Sequence, residues 1–488
     1  MICAGRVLSP LLLAWVVSGC AVGPTYRRPA TEAPAAWKEA PSVGDEQVWQ
    51  EARPQDAAAR GAWWELFGDP ELNLLEVQAV QANQSLEAAL ARLARARAVA
   101  RLPQADLLPT LELNPSYDHF QRALSSFGGA GSITDDQFSV PFDLSYEVDL
   151  WGKVRRSFEA SRAEAQASQA AYETIVLSVT AEIARTYFLL RALDAELDTL
   201  RKTVDLRREA EHLIRQRFDA GFVSQLDMAR VTAEVNTAEA ESFDVERQRA
   251  ELEHALAVLC GRAASDFTVA AVPLAAEPPH VPPSIPSRVL ERRPDVAEAE
   301  RLMAAANARI GVAKAAYFPV LTLTGSAGWQ SAKLEDLITA DSAVWSIGPS
   351  LSIPIFAGGR ATANLNAAKA TYDQAIADYR QRVLVAFQEV EDALAAGRLL
   401  SRQQHAQLGV VEASRQAATL SLERFTQGLS SFLDVIDAER ARLNAQRRAA
   451  QIRGQRMAAT ILLIKALGGG WSDSFPQASA RHRPVGNF

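Results

Sequence analysis

Two periodicities of apolar residues alternate along the chain and predict different elements. The stretch 152–217 contains no proline, and its apolar residues recur at steps of three and four, the period of a helix. At about 1.5 Å per residue, one unbroken helix of this length would extend about 100 Å. A globular domain cannot contain such a rod, so we expect stacked helices or a coiled assembly, with Ala-rich faces that permit close approach.

Shorter segments alternate strictly between apolar and polar residues and predict strands. Every even position of 138–149 is apolar, 345–355 alternate in the same way, and 111–114 and 321–324 begin the partner strands. Half-buried soluble strands also alternate, but the aromatic and branched residues on one face favour a transmembrane barrel strand. Three prolines argue against a regular ladder: Pro141, Pro349 and Pro354.

Four strands cannot close a barrel, and lipid tolerates no open sheet edge. Closure therefore requires several chains that each contribute their strands. The pattern predicts an oligomer without fixing the number of copies.

The chain contains two copies of one unit. Residues 217–227 and 424–434 share Arg, Phe, Gly, Ser, Leu and Asp at a constant offset of 207 residues. Each copy has a helical segment, two alternating segments and a very long helical region that is broken once, at Gly221 or Gly428. A proline-rich linker, 272–286, joins the copies.

Composition and charge exclude several classes of protein. The 488 residues carry a net charge of −7, which argues against nucleic acid as a partner. Cys3, Cys20 and Cys260 lie in such different settings that neither a disulfide framework nor a zinc cluster is expected. The six histidines are scattered, and neither a hydrolase nor a phosphate-binding motif occurs, so we expect neither an enzyme nor a bound cofactor or metal.

The N-terminus has the features of an export signal. Arg6 precedes a 13-residue apolar stretch, too short to span a bilayer, that ends in Val17-Ser18-Gly19-Cys20. This ending resembles a bacterial lipoprotein cleavage box, which would make Cys20 the first residue and the site of a covalent lipid anchor. The alternative is a plain signal peptide with a chance cysteine.

Several motifs in a specific order resemble outer-membrane efflux lipoproteins of the OprM type, within the TolC-like outer-membrane factors. They cover nearly the whole chain: Gly23-Pro24-Thr25-Tyr26, Trp63-Trp64, Asp69-Pro70-Glu71-Leu72, Tyr146-Glu147-Val148-Asp149-Leu150-Trp151-Gly152, Arg292-Arg293-Pro294-Asp295 and Ala466-Leu467-Gly468-Gly469-Gly470-Trp471.

This resemblance implies an α+β membrane protein with two tandem structural repeats. The homotrimer would have a twelve-stranded transmembrane β-barrel, four strands per chain, continued by a long periplasmic α-helical barrel. It would be lipid-anchored in the outer membrane and extend into the periplasm. There it would be the passive exit duct for drugs or other small solutes in a tripartite pump, with a periplasmic adaptor and an inner-membrane transporter, usually of the resistance-nodulation-division type.

The motifs and periodicities divide the chain into successive segments. A signal peptide (1–19) and an extended equatorial segment (20–69) would precede the first repeat, which would comprise helices (70–106), barrel hairpin 1 (107–150), and a helical barrel with its tip (151–263). An equatorial linker (264–293) would lead to the second repeat, which would comprise a helix (294–316), barrel hairpin 2 (317–356), and a helical barrel with its tip (357–468). A C-terminal equatorial tail (469–488) would follow.

The resemblance also implies a periplasmic gate after the second turn. Asp434 and Asp437 would form constricting acidic rings, and Leu433 an apolar plug. The two acids are three residues apart and share one helix face, so protonation or a cation could relieve their repulsion in an oligomer. Asp227 matches Asp434, whereas Arg230 stands at the position of Asp437.

A simpler role competes for these acids. An aspartate after a glycine turn is often a helix N-cap, which suits Asp227 and also Asp434. Asp437 lies deeper in its helix and is the favoured gate residue.

Residues at the two turns are candidates for adaptor docking, although the glycines could serve the turn alone. The candidates are Arg217, Phe218, Gly221, Ser224, Phe425, Gly428 and Ser431.

Two other functions remain open. The exit channel of a type I protein secretion system would share the duct architecture. A structural periplasmic coiled-coil lipoprotein would instead have no need of four lipid-length strands.

Overall fold

The computed structural model describes residues 21–29, 34, 36–39, 61–123, 131–279, 281, 289 and 292–469. Its helices are α1 (Pro70–Ala82), α2 (Gln84–Ala100), α3 (Leu102–Ala105), α4 (Lys153–Asp219), α5 (Gln225–Leu259), α6 (Pro294–Ala315), α7 (Arg360–Thr426) and α8 (Phe432–Ala466). Its strands are β1 (Thr110–Leu113), β2 (Ser116–Ala123), β3 (Ser132–Val148), β4 (Val320–Ser331) and β5 (Ala343–Ser352). Short 3₁₀ helices cover Trp63–Phe67, Ala264–Asp266 and Leu334–Asp336.

The long helices confirm the two tandem repeats. Helices α4 and α7 each have 67 residues, and α5 and α8 each have 35. Both pairs keep the offset of 207 residues found in the sequence, so the same helix–turn–helix unit occurs twice.

The helical segment before the first strands is divided at Asn83, between α1 and α2. The Asn83 side-chain oxygen accepts the N–H groups of Ser85 and Leu86 at 2.9 and 3.1 Å. Its amide donates to the carbonyl of Leu259 at 2.8 Å. Asn83 therefore caps α2 and ties it to the end of α5.

The strands form one antiparallel sheet in the order β1-β3-β4-β5, with β2 also paired to β3. Strands β1 and β2 lie end to end along β3, so the expected first strand is broken in two at Asn114-Pro115. The Asn114 N–H donates to the carbonyl of Pro141 at 3.2 Å. The N–H that Pro141 lacks therefore falls where the neighbouring strand is interrupted, which explains why a proline is tolerated inside β3.

The register separates an apolar face from a polar face, as the alternation predicted. Leu144 lies opposite Leu111 on one side and Gly325 on the other, whereas Asp143 lies opposite Ser326. In the single chain the apolar face is exposed. Trp345 is 77% exposed, and Ile347, which lies opposite Gly325, is 80% exposed.

The chain divides into two compact units. One unit contains the described residues within 21–30, 92–169 and 298–380, and holds the sheet. The other contains the remaining described residues and a core that includes Tyr187, Phe188 and Met457. Both turns between the long helices belong to this second unit.

Candidate functional site

The two long helices of each repeat are joined by a glycine turn. Gly221 and Gly428 have φ of +79° and +73°, in the region where an L side chain is strained. The Phe222 N–H donates to the carbonyl of Arg217 at 2.8 Å, and the second turn has the equivalent bond at 2.8 Å, as in a Schellman motif. A Cβ at either glycine would meet no described atom within 4 Å, so the backbone conformation is what requires glycine.

The acids after the turns cap the second helices. The Asp434 Oδ2 accepts the N–H of Ser431 at 3.0 Å and its hydroxyl at 3.1 Å. Asp227 accepts the same two groups of Ser224 at 3.2 and 2.7 Å. The N-cap residues are the serines, so the expectation that the acids are the N-caps is wrong. They lie three residues later, as the second member of a capping box.

Asp437 has a different environment from Asp434. Its side chain is 62% exposed, and its Oδ1 lies 3.6 Å from Nη1 of Arg440. At the matching position of the first repeat, Arg230 lies 3.8 Å from Asp227. Leu433, the expected plug, is 39% exposed in the first turn of α8. The second repeat thus presents an exposed acid where the first presents a base.

A charge cluster near the two turns links three helices, and two of its three members are largely enclosed. Glu234 of α5, 6% exposed, lies 3.1 Å from Nη2 of Arg207 on α4 and also pairs with Arg440 on α8. Burial lowers the pKa of Arg207, and the nearby Glu234 carboxylate opposes that shift. The sequence analysis missed this cluster. The sequence does contain a signal for it: Glu234 and Arg207 are charged, whereas the matching residues of the second repeat, Ala441 and Ser414, are not.

Some of the candidate docking residues come together across the repeats. The Arg217 guanidinium lies over the ring of Phe425, 5.5 Å from its centroid, and Phe425 packs on Phe432 at 5.3 Å. The residues directly after the glycines, Phe222 and Leu429, are 82% and 64% exposed. Sequence reasoning passed over these two, although they match in the repeat. The remaining candidates lie in or beside the turns and caps: Phe218, Gly221, Ser224, Gly428 and Ser431.

Cys20, the expected lipidation site, lies outside the described residues, but the segment after it is held firmly. The Val22 N–H donates to the carbonyl of Trp151 at 3.0 Å. Gly23, with φ of +112°, passes so close to Gly311 of α6 that a Cβ on Gly23 would lie 2.6 Å from the Gly311 Cα. The residues that follow Cys20 are therefore held beside the junction between β3 and α4.

One carboxyl group is buried without a hydrogen-bond partner in the described part of the chain. Both oxygens of Glu76, on α1, are enclosed and unpaired. Burial raises the pKa of Glu76 to about 9. It also raises the pKa of Cys260 to about 11, with a contribution from Glu76. Both groups are therefore neutral at pH 7.

Within the described ranges, no three side chains of His, Cys, Asp or Glu come together in a way that could hold a metal ion. None of the helices described has an apolar run long enough to cross a bilayer.

The sequence matches a known family in both repeats. The model of the family described as outer membrane efflux protein matches residues 75–262 and 285–469. Outer membrane protein OprJ of Pseudomonas aeruginosa is 34% identical over 473 residues, 96% of each chain. The solvent efflux pump outer membrane protein SrpC of Pseudomonas putida is 32% identical, over 95% of this chain and 98% of SrpC.

Solved structures share the fold. The outer-membrane channel OprN superposes with a TM-score of 0.83 at 30% identity, over 93% of this chain and 100% of OprN. The open state of the MtrE outer membrane channel of Neisseria gonorrhoeae gives a TM-score of 0.80 at 31% identity, over 92% of this chain and 98% of MtrE.

Proposed function

The chain belongs to the outer membrane efflux protein family, and we propose that its tip residues close the duct that its strands and long helices form. Proteins of this kind are the outer-membrane exit ducts of tripartite efflux pumps, and this chain is such a duct. A duct needs a wall, a gate and a docking surface, and the chain offers residues for each.

The open sheet is the observation that carries the proposal. Its apolar face is exposed, and β5 and the β1/β2 pair form its two edges. An open sheet edge is not stable in lipid, and the strands of one chain are too few to close a barrel. Three copies side by side would close a twelve-stranded barrel, and the four long helices of each copy would form the periplasmic helical barrel.

Asp437 is the proposed gate residue, with Asp434 and Leu433 beside it. In a trimer, each position would contribute three side chains around one axis. Because the Asp434 carboxylate caps its own helix, it is less free to face the lumen than the exposed Asp437. The acidic ring would attract cations and narrow the closed duct.

The turns form the proposed docking surface for a periplasmic adaptor. Phe222 and Leu429 expose apolar side chains at the two tips, and Arg217 with Phe425 holds the two turns together. Exposed apolar side chains of this kind suit docking of a partner protein, here the tip of the adaptor. The inner-membrane transporter, of the resistance-nodulation-division type, would supply the energy.

The cargo is proposed to be small organic solutes, including drugs. Relatives in Pseudomonas putida are named for antibiotic efflux and for solvent efflux. Attachment to the outer membrane would be strengthened by lipid on Cys20, since several acyl chains give stable anchoring.

Single-channel conductance in planar bilayers tests the duct and its gate together. The wild-type protein is compared with Asp434→Ala/Asp437→Ala. We expect a small, cation-preferring conductance in the wild type and one several-fold larger in the double variant. A large conductance in both would reject the gate and keep the duct. No conductance in either, with insertion into the bilayer verified, would favour a structural lipoprotein.

A further inference from the structure

A cavity of about 180 Å³ lies among α4, α5, α7 and α8, just before the two turns. Its floor is formed by the buried residues Ile214, Val231, Val435 and Ile436. Phe425 and Phe432 supply two aromatic rings to its wall, 5.3 Å apart. Phe425 also belongs to the proposed docking surface, but no residue of the proposed gate lines this cavity.

The charged groups at the cavity rim neutralise one another. Arg207 lies 3.1 Å from Glu234, and the Arg442 Nε donates to Glu439 at 2.7 Å. All four side chains line the cavity. A charged ligand would find no uncompensated partner there and would lose its hydration, so the cavity suits a neutral molecule.

The size and lining specify the ligand further. A closed apolar cavity of about 150 Å³ binds benzene, and this cavity, which is partly open to solvent, has room for a ligand of that size. The two phenylalanine rings allow a third ring to pack edge-to-face or offset. We propose that this cavity is a binding site for a neutral monocyclic aromatic molecule.

Binding would affect how the two repeats pack together near the turns. The walls come from both repeats, α4 and α5 of the first and α7 and α8 of the second. An occupant that touches both helix pairs favours the arrangement in which they are packed together. Bound ligand would therefore oppose separation of the two pairs.

Ligand-observed ¹⁹F NMR on the purified full-length protein, with 4-fluorophenol as the probe, tests the site. Ala210 lines the cavity, so Ala210→Phe fills it. Ala417 occupies the matching position of the second repeat and is exposed, so Ala417→Phe is the control. We expect saturable binding to the wild type and wild-type binding to Ala417→Phe. The affinity of Ala210→Phe should be about one tenth of the wild-type value or less, because the new ring occupies the space of the ligand.

Val231→Ala keeps the test valid if Ala210→Phe fails to fold. It enlarges the cavity, so 2-naphthol should gain affinity relative to 4-fluorophenol. Equal binding to all variants, as from partition into detergent, would overturn the proposal. Absence of binding to the wild type, as when another copy's side chain fills the cavity, would also overturn it. Conductance of the same variants is measured separately, so a failed duct and a failed site are distinguishable.

Discussion

The Asp434 carboxylate accepts the backbone N–H of Ser431 at 3.0 Å, which commits it to the start of α8. One turn later, the Asp437 carboxylate is largely exposed beside Arg440. The sequence favoured Asp437 as the gate residue because it lies deeper in the helix, and the hydrogen bonds give the two acids different roles. Asp434 shapes the turn, and Asp437 is available to the duct.

Separate substitutions should therefore have different effects. Asp437→Ala should raise single-channel conductance several-fold with an unchanged thermal midpoint. Asp434→Ala should lower helix stability by about 1 kcal/mol, because the capping box loses its second member, with a smaller effect on conductance. Arg230→Ala, at the matching position of the first repeat, is the control. Larger conductance from Asp434→Ala than from Asp437→Ala would reverse the assignment.

Local signals predicted the fold well, since they are carried by neighbours in the chain. The left-handed glycines at 221 and 428, the period of the long helices and the alternation of the strands are all local. The breaks at Asn83 and Pro115 were missed because the surrounding pattern continues across them. Asn83 and Pro115 are themselves suited to a cap and a break, but both sites are also bonded to distant partners, the carbonyls of Leu259 and Pro141 respectively.

The site was less predictable, because it depends on contacts between repeats. Glu234 pairs with Arg440 across more than two hundred residues, and no spacing rule connects them. Likewise, the sequence could suggest a cap for Asp434 but could not choose between the cap and the gate.

Glu234→Gln should be strongly destabilising. It leaves Arg207 buried without its carboxylate, and breaking a buried pair in this way costs about 3–5 kcal/mol. The free energy of unfolding, or the thermal midpoint in detergent, measures the loss. Glu239→Gln removes a more exposed partner of Arg208 and should cost at most about 1 kcal/mol. Equal effects of both variants would show that the cluster contributes no more than a surface pair.

Gly311→Ala should detach the segment after Cys20. A Cβ there would lie 2.9 Å from the carbonyl of Val22 and from Cγ of Arg156, and the backbone atom cannot move without shifting the segment. Amide hydrogen exchange at Val22 should accelerate. Gly397→Ala, in an open part of α7, is the control and should stabilise its helix by up to about 1 kcal/mol. Unchanged exchange at Val22 would show that α6 can yield instead.

Stability should fall as pH rises because of Glu76. Its pKa is about 9 in the folded chain and near 4.5 when exposed, so the folded state holds a proton that the unfolded state releases. The stabilisation from this retained proton is fully present below about pH 4.5 and is lost progressively up to about pH 9. At pH 7 the free energy of unfolding is lower by on the order of 3 kcal/mol. Cys260, with its pKa raised to about 11, stays neutral over that range. Glu76→Gln should therefore flatten the dependence of the thermal midpoint on pH between 5 and 9. Glu87→Gln, on the exposed side of α2, should leave the wild-type slope unchanged, and a slope that persists in Glu76→Gln would assign it to other groups.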